Sequence, residues 1–314
     1  MAEKNLITIT GYLKENTLEQ VISSTGKNAI RGNLIISTGP LESHKVQFYV
    51  SETTSTGAES KEYQNLLNML PEKTTTLASY LAANPEADFE DACACVSKVW
   101  AAGSLDEYAR KSEEKGELST IQLRGRRAGF KTASATGKEF ETKARFEVEV
   151  YLSEITPELT ETGEATGRLN VVGLIQNYDQ SVSKIDFIAP VENGVADYIS
   201  KNYAVADTVH INGEFINLMH RKLIQSASEN HFGTGGRDQY ETTFTNERRI
   251  LGGDTKPVHQ GEEGSISTSA VKIGLAKRES KMIANGQKTP APKANFNKTT
   301  TTNVVTSSDE DVDF

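Results

Sequence analysis

Cysteine is almost missing: Cys93 and Cys95 are the only two in 314 residues. Their one-residue spacing suits neither an easy disulfide nor a four-ligand zinc site, so both are expected to pack as small buried apolar groups. Long hydrophobic runs are missing too. None approaches the roughly 20 residues that a membrane-spanning helix needs. Met1-Ala2-Glu3-Lys4 leads into a short strand-like run instead of the basic and apolar regions of a signal peptide. A cytoplasmic protein is the expectation. The five histidines (His44, His210, His220, His231, His259) show no metal-ligand spacing. No Ser, Cys or acid sits in a recognisable nucleophile elbow. Gly233-Thr-Gly-Gly236 lacks the following Lys-Ser/Thr and the strand-to-helix setting of a phosphate-binding loop. The chain therefore reads as a binding protein, not an enzyme, with no cofactor and no metal.

What is present is unevenly distributed. A formal charge of -9 argues at first against a nucleic-acid partner, because phosphates are neutralised by Lys and Arg. Distribution matters more than the sum, and the last six residues alone carry four acids. The apolar fraction of 36% and charged fraction of 25% describe a soluble globular protein diluted by polar segments.

Leu6 to Tyr12 reads as a strand, rich in Ile and Thr. A second follows the turn signal Ser24-Thr25-Gly26-Lys27-Asn28 and covers Ala29 to Ser37. A third, Lys45-Val-Gln-Phe-Tyr-Val50, comes after Gly39-Pro40. Between about 60 and 115 the pattern turns helical, with Tyr63, Leu66, Leu67 and Leu70 on one face, then Phe89, Ala92, Val96, Val99 and Trp100. Strands return from Leu118 to Ala128 and from Phe140 to Leu152, the later part of which alternates between apolar and charged residues. In that alternation Phe146 belongs to the core, and Glu147 and Glu149 to the wet face.

The order then repeats. Gly32 to Ser37 with Lys45 to Val50 resembles Leu169 to Leu174 with Lys184 to Ala189. A helix candidate follows each, the second being Gly194 to Tyr203. A Gly-containing strand (Ile121 to Arg127; Val209 to Phe215) and a last strand (Phe140 to Leu152; Gln239 to Ile250) close each unit. Strands, a helix, then a strand pair is the element order of an OB-fold, a five-stranded Greek-key barrel that binds oligonucleotides on a curved face. The expected fold is mainly β with a helical insertion: two tandem OB-like barrels and a disordered C-terminal tail. The domains would be 1–155, with the insertion at about 60–115, then 156–253, then a tether and acidic tip over 254–314. Residues 254 to 306 lack periodicity and hold eight basic against four acidic residues.

The densest basic cluster spans Leu118 to Phe146: Arg124, Arg126, Arg127, Lys131, Lys138, Lys143 and Arg145, with Phe130 interleaved. Positive charge answers phosphates, and flat π-faces answer unstacked bases. The second unit offers a thinner set: Arg221 and Lys222 leaving one strand, Phe232, Arg237 and Tyr240 about a Gly-rich turn, and Tyr178 in an earlier turn. The pattern points to sequence-tolerant binding of single-stranded DNA. A β-barrel adaptor or structural subunit without DNA affinity is the alternative.

Ser308-Asp-Glu-Asp-Val-Asp-Phe314 resembles the tip of bacterial and phage single-stranded DNA-binding proteins, where acids lead to an apolar residue and a final Phe. The resemblance implies that Val312 and Phe314 insert into an apolar pocket on replication, recombination and repair proteins while Asp309, Glu310, Asp311 and Asp313 steer. Asp313 stands where the bacterial tip usually has Pro, which points to cognate phage partners. The rest of the chain loosely resembles the large two-domain proteins of this class in tailed phages, which would place it in the host cytoplasm.

Overall fold

Alternation of buried and exposed residues sets the first strands. Ile7, Ile9 and Leu13 of β1 (Asn5–Asn16) and Ile30, Leu34 and Ile36 of β3 (Asn28–Gly39) are all fully buried, as expected for β-branched and apolar side chains on one face of a pleated strand. The computed structural model describes residues 4–54, 56–112, 114–131, 140–225 and 239–287. β3 pairs with β1, with the short edge strand β2 (Glu19–Ile22), and with β4 (Glu42–Ser51). β4 runs parallel to β6 (Gly116–Phe130), β6 pairs with β5 (Lys98–Ser112), and β5 closes on β1. The helices α1 (Lys61–Leu67), α2 (Leu77–Ala83) and α3 (Phe89–Cys95) lie between β4 and β5, capped by the side chains of Ser60, Thr76 and Asp88. A closed five-strand ring with its helices before the fourth ring strand is an OB barrel.

The second ring repeats the first. β7 (Lys143–Leu159) pairs with β8 (Ala165–Gln176), and β8 with β9 (Val182–Ala189). β9 runs parallel to β11 (Gln239–Gly253), β11 pairs with β10 (Thr208–Gln225), and β10 closes on β7. Helix α4 (Val195–Asn202) again precedes the fourth ring strand. β1 and β7 also pair with each other, Asn5 to Thr10 against Val148 to Lys143, so the two rings form one sheet around one core. Phe146, buried as its alternation requires, meets Phe187 and Phe215 at 5.4 and 5.3 Å between ring centres.

Four expectations need correction. The helical insertion ends at Cys95, because Val99 and Trp100 belong to β5, where they face Phe130 and Gly129 across the ladder. The tail is not without structure from 254: helix α5 covers Thr268–Gln287. Glu149 is 5% exposed rather than wet, because β7 is flanked by β1 and β10 along this stretch. Of the cysteines, Cys93 is buried and Cys95 exposed, and burial pushes the Cys93 thiol up to about 11. No helix among the described residues is long and apolar enough to cross a membrane.

α5 buries Val271, Gly274, Arg278 and Met282, one stripe at helical spacing. Arg278 Nη2 lies 2.6 Å from Oε1 of the buried Glu107 on β5 and also binds Glu117 on β6. Lys281 reaches Ser181 in the β8–β9 turn at 2.9 Å and pairs with Asp179. One helix thus holds both barrels. Burial raises the Glu107 pKa, but the bonds from Arg278 and Ser119 outweigh it and hold the carboxyl below its ordinary range. Arg278→Met leaves Glu107 buried and unpaired, so urea unfolding should lose about 3 kcal/mol. Because the folded pKa of Glu107 is depressed, its contribution is full above the unfolded carboxylate value and fades as pH falls through the folded one.

The segment between β11 and α5 is pinned by a bridge between Thr208 and Val258 and by His259 Nδ1, 2.8 Å from the buried Asp207. The hydrogen bond to Asp207 raises the His259 pKa above 6.5. This contribution is present below the unfolded value and is lost as pH rises through the folded one. An NMR titration should place His259 above the ordinary histidine value of 6.5, and Asp207→Asn should remove that rise.

Candidate nucleic-acid interface

The second and third strands of the first ring, β3 and β4, carry three outward cross-strand pairs: Arg31 with Tyr49, Asn33 with Gln47, and Ile35 with Lys45. Tyr49 is 59% exposed, in a position where an aromatic ring stands on a sheet surface with nothing covering it. Two grooves meet at this ring. One, of about 580 Å³, runs from Asn5 and Leu6 past Gly103, Gly125, Arg126 and Arg127 to Ser60 and Glu62 at the start of α1. The other, of about 490 Å³, is lined by Thr17, Glu19, Arg31, Asn33, Gln47 and Tyr49. Each holds a buried polar atom without a hydrogen-bond partner among the described residues, Thr53 Oγ1 in the first and Asn33 Oδ1 in the second.

A β-bulge explains the arginines. Ala102 faces Arg127 and Gly103 faces Gly125, so Arg126 is the extra residue, and both Arg126 and Arg127 are exposed. Glycine is required on both sides of it. A Cβ on Gly103 would lie 1.8 Å from the Arg124 carbonyl oxygen, and one on Gly125 would lie 2.2 Å from the Phe48 ring. The cations differ in their ties. Arg31 is bound to Glu19 at 2.7 Å, Arg127 to Glu62 at 3.0 Å, and Arg124 to Asp106. Arg126 makes no ion pair among the described residues. Glu62 is held below the usual carboxylate range by its own backbone N–H and then by Arg127.

The predicted residues are only partly gathered here. Arg126 and Arg127 line the larger groove, and Arg124 stands beside it on β6. Arg145 lies in the same ladder row as Arg127, through Thr8 and Ala102, three strands or about 14 Å away along the sheet. Lys143 lies one step on along β7. Phe130 (42% exposed) ends β6 and Lys131 follows it, its N–H donating to the Lys98 carbonyl. Tyr178, 89% exposed, stands in the β8–β9 turn and lines neither groove. On the long β10–β11 hairpin the Arg221 guanidinium sits 4.7 Å from the Tyr240 ring centre, while Lys222 faces Glu241. Lys138, Phe232, Arg237 and the tip residues Asp309, Glu310, Asp311, Val312, Asp313 and Phe314 lie outside the described residues.

Sequence reasoning missed Tyr49, Arg31, Asn33 and Gln47. The signal was present in Lys45-Val-Gln-Phe-Tyr-Val50, whose alternation puts Lys45, Gln47 and Tyr49 outward together. Three arginines of the second barrel are occupied within the protein. Arg168 binds Glu247 at 2.7 Å, Arg249 binds Glu247 at 3.4 Å, and Arg248 donates to the Asp186 carbonyl at 2.5 Å. Burial also lowers the Arg248 pKa.

The family model YorF matches residues 3–281, which spans both barrels and most of α5. The chain belongs to the YorF family. In three dimensions this YorF-family chain is similar to the wild-type single-stranded DNA binding protein from Thermus aquaticus, at 12% identity and a TM-score of 0.46, covering 83% of this chain and 96% of that one. It is also similar to a deletion mutant of that protein, at 10% identity and a TM-score of 0.42, covering 83% and 98%. Both scores are low, and the barrels are defined by their own strand pairings. No curated protein sequence matches the chain.

The bulge gives a direct test. Gly103→Ala has backbone, not a flexible side chain, in its way, so thermal unfolding should show a loss of about 1–3 kcal/mol. A variant as stable as the parent would mean that the bulge is not tightly packed.

Proposed function

We propose that this protein binds single-stranded DNA with little sequence preference, on the β3–β4–β6 face of its first barrel. The observation that carries the reading is Tyr49, exposed between two grooves and flanked by Arg31 and Arg126. The flat ring offers a stacking platform, and the guanidiniums answer the phosphates on either side of a stacked base. Lys131, Lys143 and Arg145 extend the positive surface toward β7, with Phe130 as a second aromatic. A strand lying in open grooves and read by stacking accounts for a site that is long, shallow and without a catalytic constellation.

On this reading the protein coats and protects single strands in phage DNA replication, recombination or repair. The terminal Asp309-to-Phe314 segment recruits partner proteins, as its resemblance to the tips of single-stranded DNA-binding proteins suggests.

Fluorescence titration with oligo-dT should show binding that falls steeply with salt and exceeds binding to duplex. Tyr49→Ala should cost about 1–3 kcal/mol. Arg126→Ala should weaken binding to all sequences and lower the salt slope by about 1. Replacing Arg124, Arg126 and Arg127 together should do more harm than replacing Lys256 and Lys272. Absence of binding at low salt would leave the barrels as a protein–protein adaptor.

A further inference from the structure

The β10–β11 hairpin outgrows the second barrel. β10 leaves β7 after Glu214 and β11 meets β9 only at Arg249, so beyond those points the two strands form a projecting arm. Its root is pinned to the first barrel: Leu218 pairs with Glu42, Met219 N donates to the Leu41 carbonyl at 2.9 Å, and Asn217 Nδ2 donates to the Ser43 carbonyl at 2.6 Å. The Leu41 bond also fixes which main-chain groups the arm offers outward. Because Met219 turns its N–H away from β11, Met219 and Phe244 form a non-hydrogen-bonded pair. The peptide groups of Thr242, Phe244 and Asn246 therefore face out from β11, while those of Glu241, Thr243 and Thr245 are used by β10. Among the described residues no strand pairs with the outward edge of 241–245.

The two edges of the arm are defended differently. The outer part of β10 carries Arg221 and Lys222, and positive side chains on an edge strand repel a second strand of the same kind. β11 from 241 to 245 reads Glu-Thr-Thr-Phe-Thr, made largely of β-formers, with no Pro, no bulge and one charge, which has Lys222 opposite it on β10. Residues 241 to 244 are all exposed, Phe244 at 70%. A regular edge with an uncovered aromatic ring and its one charge balanced within the arm is a template for another strand.

We propose that this edge pairs with the same edge of a second copy of the chain, antiparallel about a two-fold axis at Thr243. A two-fold contact needs a patch that is complementary to itself. With the axis at Thr243, Thr242 lies opposite Phe244 of the partner subunit and Phe244 opposite the partner's Thr242. Both pairs turn their outward peptide groups toward each other, for about four main-chain hydrogen bonds. The two Phe244 rings become diagonal neighbours, at a spacing that aromatic side chains bridge. Glu241 falls opposite the partner's Thr245. An axis at Phe244 would instead bring Glu241 against the partner's Glu247, so charge selects the first register. Because the arm is already pinned at its root, pairing orders little that was free beforehand.

Sedimentation velocity of the full chain without nucleic acid tests this independently of any DNA binding, and a concentration-dependent monomer–dimer equilibrium is expected. Thr242→Pro removes an outward N–H and no bond to β10, so the dimer should be lost while the melting temperature of the monomer is kept. Thr243→Lys and Thr243→Glu each set like charges opposite one another across the axis, and each should weaken the dimer about fivefold. Mixing these two variants should restore it, because Lys then faces Glu. A parent that stays monomeric at high concentration overturns the proposal, as does a dimer that tolerates Thr242→Pro. A mixture as weak as its components overturns the axis at Thr243 and the proposal with it. Species that grow beyond a dimer would show β11 pairing head-to-tail with β10 of the next copy, which also overturns it.

Discussion

The six residue pairs between Asn5–Thr10 and Lys143–Val148 govern the rest of the architecture. A closed barrel has no free edges, yet β1 and β7 each remain long enough to close their own ring with part of their length and to pair with each other over the remainder. Ile7 and Phe146 meet at this seam and are buried together, so the two barrels share a core instead of touching through polar surfaces. Everything that places the candidate site follows from the seam. It sets β10 beside the β3–β4 turn, brings the start of β9 against Asp106 and Glu107, and leaves a saddle that α5 can span.

Charge is arranged with a similar economy. The chain is acidic overall, and many of its acids are used as partners: Glu107 and Glu117 hold Arg278, Glu247 holds Arg168 and Arg249, and Asp179 holds Lys281. In the second barrel this leaves Arg168 and Arg249 committed to the fold. On the first barrel the bulge at Arg126 puts a guanidinium into an open groove with no acid bound to it among the described residues.

Much of the fold could be read directly from alternation. Ile7 and Ile9, the Phe146-Val148-Val150 series and the repeated strand–helix–strand order all express a period of two around a core, and their local preference agrees with their tertiary role. The insertion was misjudged where Val96, Val99 and Trp100 fit a helical stripe as well as a strand, an ambiguity that short apolar runs always carry. α5 was invisible for a physical reason. Its buried stripe contains Arg278 and Gly274, so what anchors it is an ion pair with Glu107, more than 150 residues away in sequence, and no local pattern records that partner. Of the site, the Arg124–Arg127 cluster was legible as charge density. Its neighbour Tyr49 was not, because adjacency of β4 to β6 is a parallel pairing between strands far apart in the chain.

Hydrogen–deuterium exchange with and without saturating oligo-dT tests the central claim most directly. The account predicts new protection in β3, β4 and the Gly125–Arg127 bulge, with α5 and the outer face of the second barrel unchanged. Protection confined to α5 or to β8 and β9, with β4 exchanging as in the free protein, would contradict it.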